Sequence, residues 1–177
     1  MNTLSLPVGP DDHSLGPEDA PITLVEYGKY DCPHCRRALN AITEVRRQVN
    51  APMRFVYRHF PSETPHSVSE RAAEAAEAAG KQGKFWEMHA HLLENQQALN
   101  DADLIAYATM LGLDTKQFAA DLEGGVQRAR VREQFQSGLD SGVRSTPTFF
   151  INGVRHDDYW DAETLLAAIR AGNPIRE

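Results

Sequence analysis

Two cysteines occur in the 177 residues, Cys32 and Cys35, with Pro33 and His34 between them. Residues three apart lie on one side of a helix with their Cβ atoms about 5–6 Å apart, so a small local adjustment closes a disulfide between them. Pro33 suits the first helical turn, where its missing N–H costs nothing, and this places Cys32 at or just before the helix start. There, free backbone N–H groups and the positive end of the helix dipole favour thiolate over thiol, which makes Cys32 the attacking sulfur. Cys35, one turn in and partly covered, is suited to attack a mixed disulfide at Cys32 and resolve it. The His34 imidazole beside the thiolate is expected to lower its pKa further below the ~8.5 of a free cysteine. A stabilised thiolate favours the reduced form, so the couple is expected to accept electrons.

Zinc is the competing chemistry, because Cys-x-x-Cys supplies half of a tetrahedral sulfur site and His34, His59, His66, His89 and His91 are candidate ligands. No second Cys-x-x-Cys is present, no His pair follows at finger spacing, and His89 and His91 point to different helix faces. The expectation is no metal and no cofactor.

The elements that must hold these residues follow from periodicity. Residues 22–27 are apolar and β-branched, which predicts a strand buried on both faces. Leu39, Ile42, Val45 and Val49, at spacings of three and four, predict a helix over 35–49, and 53–60 reads as the next strand. Strand, helix and strand make a βαβ unit, with the Cys32–Cys35 turn at the carboxyl end of its first strand. Helical periodicity continues through 71–79, 85–93, 103–111, 115–122 and 126–139. A short strand then enters through Thr146 and Pro147 and runs to 151, Asn152-Gly153 predicts a hairpin, and 154–156 returns antiparallel. Asp161 is a candidate cap for a closing helix ending near Gly172. The opening 1–21, rich in Pro, Gly and Asp, reads as an extended surface arm. These elements predict an α/β fold, one domain over 1–177, with a helical insertion over 62–146 between a βαβ half and a ββα half.

Composition removes several function classes. A formal charge of −7 argues against phosphate neutralisation as the main task. The densest basic run, Arg128, Arg130 and Arg132, has a spacing that spreads it around a helix, so it is expected to be a solvated face. Two cysteines do not make a disulfide scaffold. No stretch approaches the ~20 apolar residues of a membrane span. Residues 1–20 contain no Lys or Arg and no apolar run of signal-peptide length, which reads as cytoplasmic; a chain whose export signal had been removed would read the same.

Cys32-Pro33-His34-Cys35 after a strand, the helical insertion, and Thr146-Pro147-Thr148-Phe149 before a hairpin together resemble the DsbA family of the thioredoxin superfamily over roughly 12–172. The arm Asp12-His13-Ser14-Leu15-Gly16 with Ala20-Pro21 is similar to the opening of DsbA-like proteins of the soluble and antiporter-fused type. The resemblance implies a thioredoxin fold and a thiol-disulfide oxidoreductase acting on protein or peptide thiols and disulfides, with a separate redox partner. It implies that Pro147 is the cis-proline lying against the redox pair, that Thr146 before it offers backbone groups to substrate, and that Pro33 lies at the same surface. It also implies that Glu26, six before Cys32, is the buried acid that moves protons at the resolving cysteine. A carboxyl amid Leu24, Val25 and Tyr27 would be costly if charged, which fits a raised pKa. The reading of a different class is a non-catalytic thioredoxin-fold binding or chaperone module. A glutathione-using relative is disfavoured by Cys35, since one nucleophile suffices for that chemistry. Phe85, Trp86 and Met88 are expected in the core, with a substrate groove as the alternative.

Overall fold

The computed structural model describes residues 2–172. The single-domain expectation over 1–177 therefore extends, at residue 1 and at 173–177, outside the described residues. In chain order the elements are β1 (His13–Leu15), β2 (Ile22–Gly28), α1 (Pro33–Gln48), β3 (Met53–His59), α2 (Val68–Lys81), α3 (Phe85–Glu94), α4 (Asp101–Met110), α5 (Thr115–Glu123), α6 (Arg128–Asp140), β4 (Thr148–Ile151), β5 (Val154–His156) and α7 (Ala162–Gly172).

The strands form one mixed sheet in the order β1-β3-β2-β4-β5. β2 and β3 run parallel, joined by α1, and β4 pairs antiparallel with β2. The α2–α6 block lies between β3 and β4 in sequence. Strand alternation divides the core in two. Leu24, Phe55, Tyr57 and Phe149 face α1, α7 and the inserted helices, together with Cys35, Ala38 and Ile42. Val25, Tyr27, Val56 and Phe150 face the other way, towards Phe60, Phe135 and Leu139. Phe85 and Met88 are buried and Trp86 packs against the larger cluster, so these three are core and do not line a groove.

Local chemistry sets the helix boundaries. Ser67 caps α2 by accepting from the Glu70 N–H at 3.1 Å, which starts that helix a turn earlier than its alanine periodicity indicates. Asn100 and Asp103 form a reciprocal capping box at the head of α4. Asp161 accepts from the Thr164 N–H at 3.0 Å and caps α7.

Two expectations are corrected. The opening arm is not simply a surface loop: His13–Leu15 forms edge strand β1, antiparallel to β3, and Thr3 bridges to Val154, the first residue of β5. Three-residue pairings are too short to show a period, and what holds the arm comes from elsewhere in the chain. Arg58 of β3, fully buried, donates to both Asp12 carboxylate oxygens at 2.9 Å, to the Leu6 carbonyl and to the Tyr27 hydroxyl. The second correction concerns Arg128 and Arg130, which are half-buried and not a solvated face; Arg132, the third of the run, stays exposed as expected. Arg128 reaches Glu70 and Glu74, Arg130 reaches Glu77, and Arg132 reaches Glu70, all buried acids of α2. A buried carboxylate requires a partner, and α6 supplies it by packing on α2.

Candidate active site around Cys32 and Cys35

β2 ends at Gly28, and the turn after it delivers Cys32 as the N-cap of α1, in extended conformation, with Pro33 at the first helical position. Both cysteines are free thiols. Cys35 is fully buried, and Cys32 retains 7% exposure. The expected contrast between an exposed and a shielded sulfur is therefore narrower in area than in electrostatics. The Cys32 thiol is lowered to about 5, first by a hydrogen bond from the Cys35 side chain, with further bonds from the Thr146 side chain and from the backbone N–H groups of Cys35 and His34, against the opposing effect of burial. Cys35 moves far above the ordinary thiol range, because its proton is held towards Cys32, because it is buried, and because Glu26 lies near. The pair thus divides into one ready anion and one protected thiol.

His34 contributes its backbone N–H to that sulfur. Its ring turns outward, accepting from Arg37 at Nδ1 and lying edge-on to Trp160 with centroids 6.2 Å apart. The Thr146–Pro147 peptide bond is cis. The Thr146 carbonyl accepts from the Cys32 thiol at 3.5 Å, although 114 positions separate the two residues. Cavities open on either side of this loop. One of about 460 Å³ is lined by Ser145, Pro147, Thr148, Phe149 and Trp160, and one of about 210 Å³ by Lys29, Phe60, Phe135 and Thr146.

Glu26 is 3% exposed, on the sheet face that packs against α1 and Cys35. Burial, and then the Cys32 thiolate, raise its carboxyl to about 8. One residue not legible in the sequence holds the turn: Gln96, following α3, donates through Nε2 to the carbonyls of Tyr30 and Cys32, each at 2.8 Å. A glutamine in a polar stretch carries no local signature of that task. Among the described residues no group of three or more His, Cys, Asp or Glu side chains could hold a metal ion, and no helix is long and apolar enough to cross a membrane.

A family model described as thioredoxin matches residues 9–171. The Na(+)/H(+) antiporter NhaA 1 of Mycobacterium sp. (strain KMS) is 46% identical over 173 residues, which are 96% of this chain and 28% of that protein. The chain thus spans under a third of the length of the curated relatives it matches first. Among solved structures, a thioredoxin-like oxidoreductase from Silicibacter pomeroyi DSS-3 superposes with a TM-score of 0.81 at 28% identity, covering 93% of each chain. Oxidised BdbD from Bacillus subtilis superposes with a TM-score of 0.78 at 22% identity, covering 90% of this chain and 91% of that one, a likeness of fold.

Proposed function

Since this chain belongs to the thioredoxin family and carries the DsbA-like form of its fold, we propose that it is a thiol-disulfide oxidoreductase. It exchanges the Cys32–Cys35 disulfide or dithiol with protein or peptide thiols and disulfides, working in the oxidising direction. The observation that carries this reading is the division of the two sulfurs, Cys32 lowered to about 5 and Cys35 raised, beside the Thr146–Pro147 loop. A thiolate stable near neutral pH is a good leaving group and a stable product, and both properties favour reduction of this disulfide by a substrate dithiol.

In the first step a substrate thiolate attacks Cys32 Sγ, the Cys32–Cys35 bond breaks, and a mixed disulfide forms. Cys35 leaves as a thiolate and takes the proton of the buried Glu26 carboxyl, an acid at about 8 beside a far weaker one. In the second step the other substrate thiolate attacks the substrate sulfur of the mixed disulfide and expels Cys32 as its stabilised anion. Two electrons pass from the substrate dithiol to the Cys32–Cys35 pair, and a separate redox partner removes them. The Thr146 backbone and the flanking cavities offer an extended substrate chain a place beside the sulfurs.

The test is trapping. The Cys35→Ser protein, activated at Cys32 as a mixed disulfide with a small aromatic thiol and mixed with a reduced, unfolded protein substrate, accumulates a covalent complex through Cys32. Cys32→Ser does not. Equal trapping by both variants, or none by either, refutes the proposal.

A further inference from the structure

Glu26 and Tyr57 are register partners on the parallel strands β2 and β3, so their side chains lie side by side on the sheet face that packs on α1. Tyr57 is fully buried; its hydroxyl, with the Tyr30 side chain as a near partner, makes no hydrogen bond of regular geometry, and neither does Glu26 Oε1. Both atoms border the same small space over Gly28. A Cβ built there would lie 2.8 Å from Tyr57 Cε2, 2.9 Å from Tyr57 Oη and 3.1 Å from Glu26 Oε1. Glycine at 28 is what leaves room for both. On the far side, Tyr57 packs on Tyr30 at 5.6 Å and on His89 at 4.4 Å between ring centroids, and the Tyr30 hydroxyl meets His89 Nδ1 at 2.9 Å. A buried hydroxyl and a buried carboxyl oxygen that border one small space without bonding there are costly unpaired and complementary when a small rotation brings them together.

We propose that Tyr57 is a positioning residue for the buried acid: its hydroxyl accepts from Glu26 when the carboxyl is protonated and donates to it when the carboxyl is ionised. The inference rests on the role given to Glu26 above and extends it. Release of Cys35 as a thiolate takes the Glu26 proton and leaves a carboxylate in a dry core, where an ion without a donor is strongly disfavoured. The Tyr57 hydroxyl turns from acceptor to donor and stays covalently unchanged; no electron or proton is lost through it. The titratable groups around Glu26 are Cys32 at the N-cap of α1, Cys35 within it, Tyr30 in the preceding turn and Tyr57 on β3. His59 and His89 stand behind Tyr57, Glu77 of α2 acts on Tyr30, and β4 presents Phe149 opposite Glu26.

The test is a side-chain carboxyl-carbon NMR titration of the reduced full chain, which needs no substrate and so reads this inference separately from the trapping experiment. In Tyr57→Phe the Glu26 midpoint is expected to rise by about one pH unit, the size of a lost hydrogen bond to an anion. In the wild-type protein the Tyr57 ring-carbon resonance next to the hydroxyl is expected to move with the Glu26 midpoint, and this movement is expected to vanish in Glu26→Gln. This second measurement stands whether or not Tyr57→Phe folds. An unchanged Glu26 midpoint in a folded Tyr57→Phe protein, or a Tyr57 resonance indifferent to Glu26, overturns the proposal. A purely structural Tyr57 would lower stability and leave both titrations where they are.

Discussion

Replacing Glu26 with glutamine should make the reduced protein more stable on the alkaline side and not on the acid side. The Glu26 carboxyl titrates near its ordinary 4.5 in an unfolded chain and at about 8 in the folded one, from burial first and the Cys32 thiolate second. Below about 4.5 both states hold the proton and nothing is lost. Between about 4.5 and 8 the folded state keeps a proton that the unfolded state has released, so the folded state binds more protons and stability falls as pH rises. The slope is about 1.4 kcal/mol per pH unit for one proton. The Glu26→Gln protein has no such titration. Its amide brings its own cost, about 1–3 kcal/mol if its donors stay unpaired, but that cost is the same at every pH and cancels in the comparison. From about pH 5.5 to about pH 7.5 the variant should therefore gain about 2–3 kcal/mol on the wild type, a little under the full slope because the folded carboxyl begins to ionise near the upper end. Cys32, which is coupled to Glu26, is already mostly ionised across this window in both proteins, and Cys35 stays protonated in both. The assay is urea unfolding of both reduced proteins at the two pH values. Repeating it on the oxidised proteins removes the thiolate, the second cause, and should shrink the gain without abolishing it. A wild-type-to-variant difference that stays constant across that window would refute the assignment of Glu26 as a buried acid held protonated.

Two further outcomes test the sulfurs and the opposite core. Ultraviolet thiolate absorbance of the reduced protein should show one thiolate forming near pH 5 and no second one up to about pH 9, and the acid transition should be missing in Cys32→Ser, because Cys32 is lowered and Cys35 raised; a first inflection near ~8.5 contradicts it. Gly138→Ala should destabilise the protein by about 1–2 kcal/mol in chemical unfolding even though alanine is the better helix former, since its Cβ would lie 2.6 Å from Phe60 Cδ2 and 3.1 Å from Tyr27 Cδ1, rings packed tightly on both sides.

The sequence by itself determined the parts of this protein whose cause is local. Cys32, Pro33 and Cys35 specify a helix head with a sulfur at its N-cap, because proline tolerates that position and the dipole acts within a turn. Asn152-Gly153 specifies the hairpin between β4 and β5, and the 3.6-residue and two-residue periods locate the helices and strands to within a turn or a few residues. Tertiary structure decided what depends on partners distant in the chain. The thiolate at Cys32 draws on the side chain of Thr146, 114 positions away, and the turn that carries it hangs on Gln96. Neither residue type signals such a task, because a hydrogen-bonding side chain acquires its role from whatever the fold brings within hydrogen-bonding reach. The arginines of α6 show the same limit in reverse. Their spacing gives a solvated helix face, and packing against three buried glutamates of α2 makes them counter-ions. The pairing of Glu26 with Tyr57 required the register of β2 on β3 and the bare backbone of Gly28, and a period of two fixes which face a side chain takes but not which neighbour it meets there.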